Sequence, residues 1–575
     1  MRTTLRVIAG LIAVTLIIYG MFQPVEQYTI WLICLWAAAP LIAFVIAMGQ
    51  PLLPRGVTRS LNSLGLFLVV LFLVVSLQLL RQQVIQAQAI YDRTQIDPDS
   101  GQITTNVRPV LESQRVVRGS IYDRNGLPIV STTLVEGGFA LRTYPVIDEL
   151  GLDPAAFGNI VGFFSTRYGQ SGLEASYGEF LSGERGNALR RIEDSLLGRP
   201  QVGNDLYLTI DARLQAQAYA LLGGRRGSVV VLEPVTGEVL AMASSPSFDP
   251  RGLSFNYRSD NWNAENERIA VFWAQINGEG AGQPLLNRPT QGQYPPGSTF
   301  KTLTAIAALE NADVANPNQI TCPNELPTET GAPPVVNAVQ NLASLTGSNP
   351  NLERVYSFSC NTAFAQYALR LGPERLETQA ARLDFFRPED APGVYSGFPD
   401  LATTPSRLYV QPGFLNRPAA LADTGYGQGQ LLVTPLQMAM ITAAIANDGK
   451  LMQPYLVQRV VQPDDSVLAE RGPVVIRQAM SPTTAAIMRE NMRAVGQYGF
   501  GRVVSDFVPG VVVGGKSGTG EHVPGAVPHA WFIAIAPVEN PRYAVAVMLE
   551  SGGEGSSVGA TLAGQVLAAA LALEG

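Results

Sequence analysis

A serine and a lysine stand three residues apart in the stretch YPPGSTFKTLTAIAALE, residues 294–310. Two prolines and Gly297 break the preceding chain, and no breaker follows until well past Leu309, so Ser298 is predicted to lie in the first turn of a helix. Residues i and i+3 share one helix face, which places the Lys301 amine near the Ser298 hydroxyl. The helix start adds backbone N–H groups that favour an oxyanion beside the serine.

Lys301 is the kind of base that such a serine needs. Serine is a weak nucleophile until a base takes its proton, and an amine can do so when burial or a nearby cation lowers its pKa. A guanidinium stays protonated in proteins. Only three of the 40 basic side chains are lysines, and the others are arginines. The pattern S-x-x-K is nevertheless short and can arise by chance.

Two further stretches supply hydroxyl, amide and amine groups. The first, SFSCNTAF, contains Ser359, Cys360 and Asn361. The second, VVVGGKSGTGE, leads from an apolar strand into Lys516, Ser517, Gly518 and Thr519. Each has a plain alternative, a turn for the first and a solvated strand end for the second. Two of the three lysines thus lie in serine-containing motifs, whereas Lys450 follows a helix stop and is predicted on a surface loop.

Composition excludes several classes of protein. The formal net charge of -7 and a pI near 5.2 argue against a nucleic-acid-binding protein. The two histidines, His522 and His529, form no zinc-ligand pattern, so neither a metal nor a cofactor is expected. Cys34 lies in an apolar run. A bridge between Cys322 and Cys360 and two free thiols both remain open, because the sequence does not give their distance.

Three apolar stretches near the N-terminus are each long enough to cross a bilayer. They run roughly from 5 to 22, 30 to 49 and 61 to 80. A cleaved signal peptide is the alternative for the first, but no small-residue cleavage pattern follows it. Arg55 and Arg59 in the second link, against Glu26 in the first, place the N-terminus in the cytoplasm. Three spans then leave the rest of the chain outside the cytoplasmic membrane.

The elements that position the motifs follow from local patterns. Asn125 and Gly126 between apolar runs predict a hairpin, and GSVVVLEPVTGEVLAMASSP predicts two strands around a turn. Asp211 and Thr434 are predicted to cap helices, with Pro435 in a first turn and Gly449 as a stop. Three β-rich runs and a helix close the chain. Strands at both ends with helices between predict an α+β domain with a central antiparallel sheet covered by helices.

The ordered set S-x-x-K, S-x-N and K-[ST]-G resembles the penicillin-interacting serine acyltransferases. The stretches RGSIYDRNGLPI, GLEASYGEFLSG, LTIDARLQ and TGYGQGQLLVTPLQMAMITAAIANDG narrow the resemblance to class B penicillin-binding proteins. EHVPGAVPHAWFIAIAP looks most like the penicillin-binding protein A branch. The resemblance covers nearly all of the chain after about residue 105. Together with the three apolar stretches, it predicts three membrane helices in 1–82, a linker or pedestal module in 83–205 and a transpeptidase domain in 206–575.

The resemblance also implies roles for the motif residues. Ser298 would be the acylated nucleophile and Lys301 its general base. Ser359 would relay a proton to the leaving amine, with Lys516 supporting the field that keeps Lys301 neutral. Substrate binding would fall to Asn361, Ser517, Gly518 and Thr519. Gly520 and Ser517 depart from the commoner Ala and Thr, and His529 and Trp531 are expected mainly to pack beside the site.

The function implied is a peptidoglycan D,D-transpeptidase of the cell wall that β-lactams inhibit. It would cross-link stem peptides through a serine acyl-enzyme, in the membrane and with a separate glycan polymerase as partner. The catalytic domain would face outward. A D,D-carboxypeptidase or β-lactamase-type hydrolase is one alternative, disfavoured by the membrane spans and the linker module. A membrane β-lactam sensor is another, disfavoured because H-E-x-x-H is absent from the sequence.

Overall fold

The computed structural model describes residues 2–24, 27–49, 57–86, 89, 94–96, 103–105, 112–186, 188–393 and 395–573. The chain divides into two compact units, Met1–Gln114 and Arg115–Gly575. The first holds the apolar N-terminal helices, and the second holds all of the predicted motif residues.

The N-terminal unit contains three apolar helices. They are α1 (Arg2–Met21), α2 (Tyr28–Gly49) and α3 (Val57–Leu80). Each contains a stretch long and apolar enough to cross a membrane, as predicted. Polar side chains near one end connect these helices. Arg81 donates to the Gln23 carbonyl oxygen at 3.1 Å, and the Trp31 indole donates to the Gln78 side chain. These bonds connect α1, α2 and the end of α3.

The segment after α3, residues 80–95, contains neither Gly nor Pro and is therefore predicted to continue as a helix or stalk. A π-helical turn spans Arg81–Ile85, but β1 (Thr94–Ile96) pairs antiparallel with β2 (Ile103–Thr105). Thr and Ile are β-branched residues that fit a pleated strand better than a helix. The helix predicted over residues 80–95 is therefore wrong at its C-terminal end, where Thr94 and Gln95 belong to β1.

The second unit is mixed. Its described helices are α4 (Pro145–Leu150), α5 (Ala155–Val161), α6 (Gly172–Ser176), α7 (Gly178–Leu181), α8 (Ala188–Leu196), α9 (Ala212–Leu222), α10 (Trp262–Asn277), α11 (Arg288–Gln291), α12 (Lys301–Glu310), α13 (Ala343–Thr346), α14 (Leu352–Ser357), α15 (Asn361–Arg382, interrupted at Gly372), α16 (Pro418–Gly425), α17 (Pro435–Ala446), α18 (Pro482–Gln497) and α19 (Ala560–Ala572).

Its described strands are β3 (Ile121–Tyr122), β4 (Pro128–Leu134), β5 (Ala140–Thr143), β6 (Phe164–Ser165), β7 (Gly169–Gln170), β8 (Asp205–Leu208), β9 (Gly227–Leu232), β10 (Val239–Ser245), β11 (Glu325–Leu326), β12 (Val335–Val336), β13 (Lys450–Met452), β14 (Val457–Val461), β15 (Val467–Glu470), β16 (Val475–Gln478), β17 (Gly514–Gly520), β18 (His529–Ala536) and β19 (Tyr543–Leu549). The predicted α+β class is confirmed.

A five-stranded antiparallel sheet forms the centre of this unit, in the order β10-β9-β19-β18-β17. Strands from both ends of the predicted transpeptidase domain thus meet in one sheet, as predicted. Alternate residues of each strand point to opposite faces. One face packs against a core that includes α17, and the other packs against α9 and α19. The apolar α19 is therefore a buried domain helix, although its composition alone would suit a membrane.

A second sheet joins the predicted linker module to the predicted transpeptidase domain. Its order is β15-β14-β8-β3-β4-β5. Strand β8 spans the expected boundary at 205/206 and pairs with β3 on one side and β14 on the other. Asp400, fully buried, accepts hydrogen bonds from Tyr177, Arg471 and the Leu456 backbone N–H. The two segments therefore share a sheet and a buried polar centre.

Local sequence signals account for many of these elements. The Asp211 side chain accepts from the N–H groups of Arg213 and Leu214 at the start of α9, and Thr434 accepts from Gln437 N–H at the start of α17. Both caps are as predicted. Helix α17 ends at Ala446, three residues before Gly449. The hairpin predicted around Gly126 is present as β3 and β4.

Candidate active site

Ser298 lies in a tight turn directly before a helix. The turn is a 3-10 helix, Gly297–Phe300, and α12 begins at Lys301. Gly297 has φ +55°, and a Cβ on it would come within 2.2 Å of the Thr519 carbonyl oxygen. Only glycine tolerates both this backbone conformation and this close approach. The turn therefore holds Ser298 against the end of β17.

The Lys301 amine is buried and surrounded by oxygen atoms of the second motif. It is fully buried, and its Nζ donates to the Ser359 carbonyl oxygen at 2.7 Å and to Asn361 Oδ1 at 2.6 Å. Ser359 Oγ lies 3.0 Å from the same nitrogen. A neutral amine has two hydrogens and one lone pair. Two acceptors can therefore hold the hydrogens while the lone pair stays available to a hydroxyl.

Lys516 approaches the same serine from the central sheet. It lies in β17, is fully buried, and its Nζ is 3.0 Å from Ser359 Oγ. The same nitrogen donates to the Ser517 carbonyl oxygen at 2.9 Å. Ser359 has φ +56°, a left-handed backbone conformation that non-glycine residues seldom adopt. Its hydroxyl thus lies between the two lysines.

The pKa values of both lysines are lowered. Burial lowers the pKa of Lys301 well below its ordinary value, and the positive charge of Lys516 lowers it further. Burial lowers the pKa of Lys516 to about 7. Because both effects act on Lys301, it loses its proton first. At a pH between the two pKa values the pair therefore supplies a neutral Lys301 amine beside a charged Lys516 amine.

A cleft of about 210 Å³ brings six of the eight predicted site residues together. They are Ser298, Ser359, Asn361, Ser517, Gly518 and Thr519. The other two, Lys301 and Lys516, lie buried beneath it and reach it through Ser359. A larger cavity of about 810 Å³ lies elsewhere, around Phe385 and Arg477, and contains none of the eight.

Strand β17 forms one wall of the cleft. A Cβ on Gly518 would approach the Pro296 carbonyl oxygen at 2.6 Å, and one on Gly520 would approach the Pro295 carbonyl oxygen at 2.2 Å. The small residues of β17 therefore let this strand lie directly on the segment that leads to Ser298. Ser517 and Thr519 line the cleft along the same wall.

His529 and Trp531 pack behind this wall, as expected. Both are buried in β18, and the Trp531 indole donates to the Pro295 carbonyl oxygen at 3.0 Å. His529 Nδ1 accepts from Ser551 N–H at 3.0 Å. Burial, helped by nearby His522, lowers the pKa of His529 to about 4. His529 is thus a neutral packing residue near pH 7.

Several cleft residues lie outside the three motifs. They are Ala338, Val339, Leu342, Phe358, Tyr426, Gln428, Phe500, Glu521, Glu554 and Ser556. Glu521 follows KSGTG directly, and Tyr426 and Gln428 belong to the TGYGQGQ stretch, so proximity to a motif could have indicated these three. The apolar residues Ala338, Val339, Leu342 and Phe500 come from distant parts of the chain and carry no local signal.

Cys322 and Cys360 form a disulfide, which decides the alternative that the sequence left open. Their Cα atoms are 6.2 Å apart, within the range that a disulfide spans. Cys34 is the free cysteine and is buried in α2. Groups of three or more His, Cys, Asp or Glu residues that could hold a metal ion do not occur among the described residues.

Two family models match the second unit. The penicillin binding protein transpeptidase domain matches residues 227–570. The penicillin binding protein A dimerisation domain matches residues 118–206. The first match alone covers more than half of the chain and includes all eight predicted site residues.

Named relatives agree with these matches. The peptidoglycan D,D-transpeptidase PbpA of Mycolicibacterium smegmatis is 32% identical over 484 residues, which cover 81% of this chain and 91% of the relative. PbpA of Mycobacterium tuberculosis is 33% identical over 490 residues, with the same coverage of each. A solved structure of penicillin-binding protein A from M. tuberculosis, a ceftriaxone acyl-enzyme complex, is similar with a TM-score of 0.69 and 31% identity, and covers 80% of this chain and 100% of that one.

Proposed function

This chain belongs to the class B penicillin-binding proteins and is a peptidoglycan D,D-transpeptidase inhibited by β-lactams, and we propose that Ser298 is its acylated nucleophile. Lys301 acts as the general base. The observation that carries the proposal is the buried Lys301 amine, held by Ser359 and Asn361 in a cleft that Ser298 lines.

Acylation begins when neutral Lys301 takes the Ser298 proton. The serine oxygen attacks the carbonyl between the last two D-alanines of a stem peptide. The backbone N–H groups of Ser298 and Thr519 stabilise the oxyanion that forms. Ser359, hydrogen-bonded to both lysines, passes a proton to the departing D-alanine amine. An ester between Ser298 and the donor peptide results.

Substrate binding falls to the walls of the cleft. Asn361 hydrogen-bonds the donor peptide backbone, and Ser517 and Thr519 hold its terminal carboxylate through their hydroxyl groups. Gly518 lets the backbone of the β17 wall come close. An amine from a neighbouring stem peptide then attacks the ester carbonyl. Its proton passes through Ser359 and Lys301 to the Ser298 oxygen, which leaves as a free hydroxyl. The product is a peptide cross-link.

The remaining segments carry this domain in the membrane. Residues 1–82 anchor the chain through three spans, 83–205 form the linker or pedestal, and 206–575 form the transpeptidase domain. The N-terminus lies in the cytoplasm and the catalytic domain outside, because Arg55 and Arg59 mark the second link as cytoplasmic. A separate membrane glycan polymerase supplies the strands to be cross-linked.

The proposed roles are tested with a stem-peptide donor, an amine acceptor and product analysis by mass spectrometry. The purified protein is expected to release D-alanine and form the donor–acceptor amide. Lys301→Arg should lower the rate by about a hundredfold or more, since a guanidinium does not accept the proton. Lys450→Arg is the matched control and should keep the parent rate, because the Lys450 side chain is exposed, at the first residue of β13 rather than in the predicted loop. Full activity of Lys301→Arg would refute the role of Lys301.

A further inference from the structure

Glu550 directly follows β19 and binds three side chains from other parts of the domain. Arg288 Nε lies 2.8 Å from Glu550 Oε1, and Arg226 Nε lies 2.7 Å from Glu550 Oε2. The Tyr294 hydroxyl donates to the same Oε1 at 2.9 Å. The side chain of Glu550 is 13% exposed and that of Arg288 is fully buried. Glu550 therefore joins the central sheet to the chain segment that leads to Ser298.

Arg288 fixes the start of that segment. Its guanidinium donates to the carbonyl oxygens of Gly282 at 2.7 Å and Gln283 at 3.1 Å. Its backbone N–H donates to Ser244 Oγ, in β10, at 3.1 Å. A buried guanidinium is stable only when its charge is paired and its N–H groups are bonded. Glu550 is the carboxylate that pairs with Arg288 among the described residues.

Tyr294 brings the contact with Glu550 close to the nucleophile. Its backbone N–H and carbonyl both bond to the backbone of Val433, at 2.9 Å and 3.0 Å. Its ring is 7% exposed and lies edge-on to the ring of His529. Residues 295–297, two prolines and a glycine, follow with their backbone directly on β17. Because proline fixes φ, a shift at Tyr294 is passed on to the turn that holds the serine.

We propose that Glu550 is a positioning residue for acylation: through Tyr294 and Arg288 it holds residues 288–297 so that Ser298 meets the Lys301 amine. This inference rests on the proposed function of Ser298 and Lys301. Glu550 is not one of the residues that line the cleft. Its loss therefore lowers the rate constant of acylation and leaves the dissociation constant of the noncovalent β-lactam complex close to that of the parent.

The test measures acylation of the full-length protein by a chromogenic β-lactam in stopped flow, over a range of β-lactam concentrations. The concentration dependence separates the dissociation constant of the first complex from the rate constant of acylation. Tyr294→Phe removes the hydroxyl and leaves Glu550 paired with both arginines. It is expected to lower the rate constant about fivefold, because misplacing catalytic groups by about 1 Å can cost up to a hundredfold.

Glu550→Gln removes the charge and keeps the shape of the side chain. It is expected to lower the rate constant further, by about twentyfold, because Arg288 and Tyr294 both lose their carboxylate partner. The buried charge of Arg288 is then unpaired, so the melting temperature should also fall. The dissociation constant should stay near the parent value in both variants.

Tyr177→Phe is the matched control for stability. Tyr177 is also buried and also donates to an ion-paired carboxylate, Asp400, which binds Arg471. It is not one of the residues that line the cleft. Tyr177→Phe should lower the melting temperature as Tyr294→Phe does and should keep the parent rate constant of acylation. All rates are compared well below the lowest melting temperature.

Two outcomes would overturn the inference. One is a rate constant of acylation in Tyr294→Phe and Glu550→Gln that equals that of the parent, whatever the dissociation constant does. The other is an equal loss of rate in Tyr177→Phe and Tyr294→Phe, which would show that the rate follows stability. If Glu550→Gln does not fold, the two tyrosine variants still decide. Failure of the proposed function is recognised separately, because the parent would then not be labelled at Ser298.

Discussion

The two buried lysines of the cleft, Lys301 and Lys516, differ in the atoms that surround their amines. Lys301 has three oxygen atoms of Ser359 and Asn361 around its nitrogen, whereas Lys516 contacts Ser359 Oγ and the Ser517 carbonyl oxygen. Burial lowers the pKa of each, and the charge of Lys516 lowers the pKa of Lys301 further. This difference in surroundings supports the base role that we propose for Lys301 and the supporting role of Lys516.

The positive charge of Lys516 beside Lys301 predicts how the acylation rate depends on pH. Lys516→Met removes a positive charge and keeps the bulk, so the pKa of Lys301 should rise. Lys301 must be neutral to accept a proton, so the acylation rate falls as the pH drops below the pKa of Lys301. In the variant this fall should occur at a higher pH, by on the order of one unit. Stopped-flow labelling with a β-lactam over a range of pH values measures where the acylation rate falls. Lys450→Met, at an exposed position at the start of β13, is the control. A Lys516→Met protein whose rate falls at the same pH as in the parent would contradict the proposed roles.

At the scale of elements, the site depends on one close contact between β17 and the turn at Ser298. Glycines at 297, 518 and 520 let the two backbones touch, and Trp531 ties β18 to the same segment. The strand, the caps at Asp211 and Thr434 and the central sheet could be predicted, because short-range patterns specify them. The left-handed Ser359, the disulfide and the wall at 338–342 could not, because each depends on residues far apart in sequence.

Gly520→Ala tests this contact. Its Cβ would lie 2.2 Å from the Pro295 carbonyl oxygen, so β17 or the turn must shift and acylation should slow by about tenfold or more. Gly472→Ala is the matched control, since a Cβ there would meet nothing within 4 Å. Both variants are compared by labelling rate and melting temperature. A Gly520→Ala protein that labels at the parent rate would show that the contact does not set the geometry of Ser298.

At the scale of the whole molecule, the sequence separates the apolar helices from the catalytic unit. Predicted spans and observed helices agree closely, since about 20 apolar residues per span leave little freedom in length. Which residues of the second unit form the cleft follows instead from its tertiary packing. The three motifs could be recognised because their spacing and order are unusual together, and the fold then brings them into one cleft.

The orientation of the chain is testable on intact cells. The background for this test is Cys34→Ala, which removes the free cysteine. In it, Val523→Cys at an exposed loop position should react with a membrane-impermeant maleimide. Thr3→Cys should react only after the cytoplasmic membrane is permeabilised. The Cys34→Ala parent serves as the control for background labelling. Reaction of Thr3→Cys in intact spheroplasts would reverse the orientation inferred from Arg55 and Arg59.

The most direct test of the central claim is the position of the β-lactam adduct. The purified protein is treated with penicillin G and digested, and the acylated peptide is sequenced by mass spectrometry. We predict one penicilloyl group on the peptide that contains residues 294–301, attached to Ser298, and none in Ser298→Ala. An adduct on another residue, or undiminished acylation of Ser298→Ala, would contradict the account.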